Sequence, residues 1–454
     1  MEYNEFIESK KHNFIKSGFE IDESELNPKL KEFQKFAVQK ALKNGRYGLF
    51  EDCGLGKSFQ SIEWAYQVGE YTKKPVLILT VLAVVDQFIE EGVKLGREVF
   101  KLNLSNYLDL NEYLPNGIFV SNYDQLENID TSLFIGIVLD ESSILKSIDG
   151  ATKNLLLEKF KQTPYKLCCS ATPSPNDHME LGNHSEFLGG MSYGEMLAMF
   201  FVHDGGETSK WRLRKHAEND FWNYVLSWSI AIDSPKTLGF DSKGYDLPKL
   251  NYIEHFVDVE QDGMDLFGEA AVSATELHQD LRQTLEIRCK KVVEIIGNSK
   301  EQFLIWCLGN AEAEMLNKMI PNSVNVQGSD KPETKAKNLL AFAKGEIQYL
   351  ITKGKIASFG LNYQSSFNQI FSSYDFKFEM FYQQIRRQYR FGQKNDVNVH
   401  LIIPKSQMNV RKSILEKEKK HKETIHNLSK LSHNYQLNEK TVKNKTQFKN
   451  PLWI

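Results

Sequence analysis

The sequence predicts an α/β protein of two parallel-sheet lobes, with a helical insertion between them and a helical brace at the C-terminus. Three observations carry this expectation. Two stretches, about Leu30 to Leu188 and about Asn251 to Pro404, alternate short β-branched runs with longer helical patterns, as parallel strands joined by crossover helices require. Within each stretch the apolar runs are short and do not alternate, which fits strands covered on both faces. The chain of 454 residues also exceeds one ordinary core, so two or three domains are expected at roughly 150 residues each.

Taken in order, residues 1–26 read as an N-terminal arm and 27–183 as the first lobe. The strand-like runs of that lobe are Tyr47–Phe50, Pro75–Thr80, Gly117–Ser121, Ile135–Leu139 and Tyr165–Cys169. Residues 184–248 break the alternation and read as a helical insertion rich in aromatic and basic side chains: Lys210-Trp211-Arg212-Leu213-Arg214-Lys215-His216, then Phe221, Trp222, Tyr224 and Trp228. Arg and aromatic residues so interleaved can stack on bases and pair with phosphates. Equally, aromatics at helical spacings form a small core of their own. The second lobe, 249–410, has strand-like runs at Gln302–Cys307, Ser323–Val326, Gln348–Thr352, Gln369–Ser373 and Val397–Ile403. Residues 411–454 read as a basic helical tail, with eleven Lys/Arg against four Asp/Glu, a net of +7; as the whole chain carries −3, the body is left at −10. Such a tail suits either a polyanionic partner or a solvated Lys-rich helix.

Composition narrows the class. Hydrophobic residues at 41% and charged residues at 25% exclude a disordered or collagen-like chain. The longest apolar run, Val76 to Val85, is half a membrane span, and the N-terminus is acidic without an apolar core, so a cytoplasmic chain with no membrane partner is expected. The five cysteines are scattered with no C-x-x-C spacing, which points to reduced thiols rather than a disulfide framework or zinc knuckle. His178, His184 and His216 are not spaced as metal ligands.

The sharpest signal is Asp52-Cys53-Gly54-Leu55-Gly56-Lys57-Ser58, which follows one strand-like run and precedes a helical one. Gly54, Leu55 and Gly56 would let main-chain N–H groups turn toward an anion at a helix N-terminus. Lys57 would reach the β/γ-phosphates of a nucleotide, and the Ser58 hydroxyl would sit on Mg²⁺. Glu51 stands where the general phosphate-loop pattern has its first glycine. About 0.02 chance matches to G-x-G-K-[ST] are expected in a chain of this length. The apolar run ending in Asp140-Glu141, 83 positions after Lys57, places two carboxylates at the edge of a parallel sheet where ligands bind. There Asp140 can hold Mg²⁺ and Glu141 can orient and deprotonate a water. In the second lobe, Gln383 to Gln393 carries Arg386, Arg387 and Arg390; Arg387 and Arg390 would share one helix face and neutralise charge on a transferring phosphoryl group.

In series these segments resemble the superfamily-two helicases and translocases of the Swi/Snf type, in the compact form found in phages and mobile elements. The resemblance runs from about Leu30 to Lys430. Leu30 to Gln34 is similar to the adenine-reading glutamine motif, Phe50 to Ser58 to motif I with its expected acid, Val76 to Phe88 to Ia, Val120 to Leu126 to Ib, Asp140-Glu141-Ser142-Ser143 to the DEAD/DEAH-like motif II, and Ser170 to Pro173 to III. Phe303 to Cys307 is similar to motif IV, Ser358 to Asn362 to V and Gln384 to Gln393 to VI. Ser142-Ser143 replace the Ala-His or similar pair of the family.

The resemblance implies two RecA-like lobes that close on ATP and Mg²⁺ and drive movement along DNA, usually duplex. It assigns Gln34, Gly360 and Gln384 to nucleotide binding beside the phosphate loop, Lys57, Asp140, Glu141, Arg387 and Arg390 to catalysis, and Gln87, Tyr123, Ser170 and Ser358 to nucleic-acid contact. Strand separation of DNA or RNA is the alternative activity. An ATP-gated DNA-binding platform that recruits a methyltransferase or nuclease is the alternative of another class.

Overall fold

Short apolar runs become parallel strands in both halves of the chain because each is flanked by helices that cover it. The computed structural model describes residues 17–102, 115–146, 150–204, 207–257, 276–357 and 361–442. The chain forms two units, Met1–Ser242 with His421–Ile454, and Lys243–Lys420.

The first unit contains β1 (Arg46–Glu51), β2 (Val76–Thr80), β3 (Val99–Lys101), β4 (Ile118–Asn122), β5 (Gly136–Asp140), β6 (Tyr165–Ser170), a β7 (Phe201–Asp204) and β8 (Glu207–Leu213) hairpin, and β9 (Ser229–Ile232). Seven strands form one sheet in the order β3-β4-β2-β5-β6-β1-β9, with every pairing parallel. All their C-terminal ends therefore lie along one edge, the edge at which open α/β sheets bind ligands.

The segment 184–248 is not a helical insertion throughout. It supplies the antiparallel hairpin and also β9, which pairs with β1 from Gly48↔Ser229 to Glu51↔Ile232. Its aromatics are core: Phe221, Trp222 and Trp228 are buried in the cluster that holds Phe50 and Leu139, with Trp228 edge-on to Phe50 at 6.0 Å. Trp211 is half-buried, its ring centroid 3.7 Å from that of His203.

A buried charge network fixes where the first helix begins. Glu63, on the Lys57–Thr72 helix, is wholly buried and accepts from Arg97 Nε (3.0 Å) and Nη2 (3.2 Å), from Asn27 N (3.0 Å) and from Gln67 Nε2 (2.8 Å). The Arg97 guanidinium stacks on Tyr66 at 3.5 Å. Asn27 is thereby tied to the Lys57–Thr72 helix, and the Glu32–Asn44 helix that carries Gln34 starts only five residues later.

The second unit has β10 (Leu250–Val257), β11 (Phe303–Trp306), β12 (Ser323–Val326), β13 (Tyr349–Thr352), β14 (Asn368–Phe371) and β15 (Val397–Pro404) in the order β10-β15-β14-β11-β13-β12, again wholly parallel. Two apolar clusters cover its faces, one around Trp306, Phe371 and Phe381, the other around Cys289, Ile305 and Leu316. Between helices and sheet, Arg288 and Glu312 form a buried ion pair, with Ser372 and Ser373 each donating to Glu312 at 2.6 Å.

Among the described residues the C-terminal part is one helix, Met408–Val442. Its first part packs on the second unit, where Arg411 Nε meets Glu254 at 2.7 Å and Tyr252 donates to Glu418 at 2.9 Å. From His421 on it belongs to the first unit: Leu428 is buried in that core, Ser429 Oγ accepts from Asp233 N and Ser432 Oγ from Ala231 N, each at 3.4 Å. Lys412, Lys419, Lys420, Lys422 and Lys430 are exposed on a helix whose other face is buried.

Four cysteines are buried and Cys53 is half-buried, all as free thiols. Among the described residues no His/Cys/Asp/Glu cluster could hold a metal ion, and no helix is long and apolar enough to cross a membrane. Arg97→Ala would leave Glu63 buried without its cation. It is expected to cost about 3 kcal/mol of stability, measured by urea unfolding.

Candidate nucleotide site

β1 ends at Glu51, and the chain turns through Asp52–Gly56 before the Lys57–Thr72 helix starts. The turn needs glycine at two places: Gly54 (φ +88°) and Gly56 (φ +85°) both lie in the left-handed region. Gly56 caps the helix, and the first helical turn carries no acidic residue, so its N–H groups and positive dipole end stay open to an anion. Cys53 N donates to Asp52 Oδ1 at 2.7 Å, and Asp52 N donates to Ile232 O of β9 at 2.9 Å, so the unforeseen strand holds the loop's first residue.

Lys57 folds back on the loop. Its ammonium donates to the main-chain oxygens of Glu51 (2.7 Å) and Asp52 (3.1 Å). Gln34 lies against the same loop: its Nε2 donates to Leu55 O at 2.8 Å, and its Oε1 accepts from Lys31 N at 2.9 Å. Both ends of this amide are spent on the main chain, so Gln34 is placed to sense the loop's position.

Beneath the loop, Glu51 is fully buried. Its Oε2 accepts from Gln60 Nε2 at 2.7 Å, while Oε1 has no hydrogen-bond partner among the described residues. Burial pushes its carboxyl up to about 7, with the Lys57 charge and the Gln60 amide pulling the other way. The acid that replaces the first glycine is therefore a support under the loop.

Two strands over from β1 in the sheet, β5 delivers Asp140 and Glu141 to the same edge. Thr80, at the end of β2, donates its hydroxyl to Asp140 Oδ2 at 2.7 Å, and Tyr123 donates to Asp140 O at 2.7 Å. Glu141 has φ +54°, a left-handed backbone on a residue with a side chain, at a cost of order 1–3 kcal/mol. The Ser142–Lys146 turn follows directly. Ser142 Oγ shares a 3.0 Å hydrogen bond with His184 Nε2, both groups being wholly buried. Ser58 offers a hydroxyl and Asp140 a carboxylate, hard oxygen donors of the kind that would suit Mg²⁺.

Of the expected nucleic-acid contacts, two turn inward. Tyr123 is buried with its hydroxyl on Asp140 O, and burial together with the nearby Asp140 charge raises its pKa well above the ordinary value. Ser170 is fully buried and its Oγ accepts from Thr172 N at 3.0 Å. Both hydroxyls are bonded to the protein's own main chain. Gln87 is half-buried on its helix and donates to Glu91 at 2.7 Å. Ser358 and Gly360 lie outside the described residues.

In the second unit the helix carrying Gln384 runs from Phe378 to Ile385 and stops. Arg387 and Arg390 therefore do not share a helix face; they lie in the turns that follow, where Gly392 (φ +92°) reverses the chain. Arg387 is buried, with Nη2 on Gln383 Oε1 at 3.3 Å. Arg390 Nη1 donates to Asn362 Oδ1, which joins these turns to the segment before β14. Gln388 and Gln393 pin the same turns to residues 364–368. Gln384 is buried, with its amide facing Gly354, where a Cβ would lie 3.0 Å from Nε2.

Thr80, Gln60 and His184 were not singled out as site residues from the sequence. Thr80 closes an apolar run and could have been read as a strand-end donor; nothing in the local pattern marks Gln60 or His184.

No protein-family model and no curated protein matches the chain. Among solved structures, it is similar to the Sulfolobus solfataricus SWI2/SNF2 ATPase core in complex with dsDNA, at TM-score 0.43 and 16% identity, covering 85% of this chain and 90% of that chain. The functional argument rests on the site itself.

Because Glu51 binds its proton more tightly when folded, the native state holds more protons than the unfolded chain between pH 4.5 and about 7. The cost of burying it is absent at low pH and complete above about pH 7. Glu51→Gln should therefore gain stability over the parent as pH rises from about 5 to about 8, read as a widening gap in urea midpoints.

Proposed function

We propose that the protein is an ATP-dependent translocase on duplex DNA, of the Swi/Snf type, that couples nucleotide hydrolysis to movement along the polymer. One observation carries the reading: a glycine-shaped anion loop with its lysine and a strand-end Asp-Glu pair stand on neighbouring parts of one sheet edge. Lys57 and the loop N–H groups bind the β- and γ-phosphates, and Lys57 exchanges its two carbonyl partners for phosphate oxygens. Ser58 and Asp140 hold Mg²⁺, which supplies charge neutralisation at the phosphates. Thr80 keeps the Asp140 carboxylate aimed, and Glu141 orients the attacking water and takes its proton. Arg387 and Arg390 supply positive charge to the transferring phosphoryl group.

Affinity for DNA is expected to be backbone-directed and to fall steeply with added salt. Gln87 is the proposed contact that the described residues leave at the surface. The deciding experiment measures ATP turnover with single-stranded DNA, duplex DNA, forked DNA and RNA in parallel. Duplex DNA should stimulate most. Stimulation by forked DNA or RNA alone favours a strand-separating helicase, and no stimulation by any of them favours an ATP-gated binding platform. Lys57→Ala should lose nucleotide affinity. Arg390→Ala should keep ATP binding and lose stimulated hydrolysis by roughly 10³-fold, and unchanged turnover in that variant would break the arginine assignment.

A further inference from the structure

We propose that His184 is a positioning residue for Glu141, acting through Ser142 to hold the turn that sets the Glu141 backbone. The inference rests on the nucleotide-hydrolysing reading above, in which Glu141 orients water. Glu141 leaves β5 in a left-handed conformation, and such a backbone persists only where its surroundings over-determine it. The local turn contributes Ile144 N to Glu141 O at 3.2 Å and a longer contact from Ser143 Oγ to the same oxygen at 3.5 Å. Tyr123 holds the residue before it, donating to Asp140 O at 2.7 Å, and the helix Leu181–Leu188 grips the turn at both ends. At the near end Ser142 Oγ meets His184 Nε2 at 3.0 Å, and at the far end Asn183 Nδ2 donates to Lys146 O at 3.3 Å.

The imidazole also touches the other half of the site. Its ring meets Phe50 edge-on at 5.3 Å, and Phe50 directly precedes Glu51 at the mouth of the phosphate loop. One side chain thus contacts the strand that feeds Lys57 and the turn that carries Glu141. Packing alone would be served by leucine at this depth. An imidazole must instead find polar partners, because burying it without them is costly. Burial pushes its pKa down to about 4, against the pull of the Glu180 and Ser142 carbonyls, so the ring is neutral and offers one donor and one acceptor. The contact with the Ser142 hydroxyl is where that polarity is used.

The test uses the full chain with MgATP and the nucleic acid that stimulates it best, comparing His184→Leu, Ser142→Ala, the double variant and His184→Gln. Removing either partner should lower kcat ~10-fold or more with KM for ATP and the thermal midpoint little moved. The double variant should be no slower than either single one, and His184→Gln, which keeps a polar atom near the Nε2 position, should recover part of the loss. If His184→Leu fails to fold, Ser142→Ala carries the comparison. Unchanged kcat in Ser142→Ala, additive losses in the double variant, or a KM rise with kcat preserved would overturn the proposal. A wild-type chain that turns over no ATP would overturn the underlying reading, a result distinct from an active wild type indifferent to these substitutions.

Discussion

An ammonium group bound only to main-chain oxygens sets the terms for the first unit. Lys57 donates to the carbonyls of Glu51 and Asp52, partners that satisfy two of its three protons and leave its charge without a carboxylate at hydrogen-bond distance among the described residues. A cation so held is ready for an anion. The buried Glu51 beneath it supplies compensating charge when ionised without reaching the loop surface. The glycines above it give main-chain N–H groups room to converge on the same point. Strand order does the rest, since a parallel sheet puts β1, β2, β5 and β6 at one edge and so brings Thr80 and Asp140 to the loop's side of the molecule.

The supports around this centre differ in kind. Gln34 holds the loop at Leu55 O, and Ile232 O of β9 holds its first residue, Asp52, which together fix its path. Thr80 and Tyr123 act on Asp140, one through the carboxylate and one through the carbonyl, and so fix both the side chain and the strand end. The left-handed Glu141 is a third kind of feature, a strained position kept by the turn after it. These roles divide the residues near the site into those that meet a phosphate or water and those that aim them.

Much of the fold was legible because the physics was local. The paired lobes, most of the strands and the loop-helix junction at Lys57 follow from short apolar runs, glycine placement and helical periodicity. β9 was missed because Ser229–Ile232 is four residues long and follows an aromatic helix without a turn signal. β10 was missed because Leu250–Val257 is an edge strand whose polar and half-exposed residues blur the apolar pattern. The helix assumed to run through Arg387 and Arg390 ends at Ile385, where Gln388 and Gln393 of the following turns bond to residues 364–368. The placement of Lys57 and Ser58 at the start of a helix after β1, and of Asp140 at the end of β5, was readable from motif spacing. The burial of Tyr123 and Ser170 was not legible, and His184 was passed over, because burial and, for His184, a partner 42 residues away are set by the fold.

The account depends most on the loop's affinity for a nucleoside triphosphate. Calorimetric titration of ATP into the full chain, with and without Mg²⁺, tests this directly. The account predicts saturable one-to-one binding in the ~1 µM to 1 mM range that Mg²⁺ strengthens. No binding of ATP at millimolar concentration, with Mg²⁺ present and the protein folded, would contradict it.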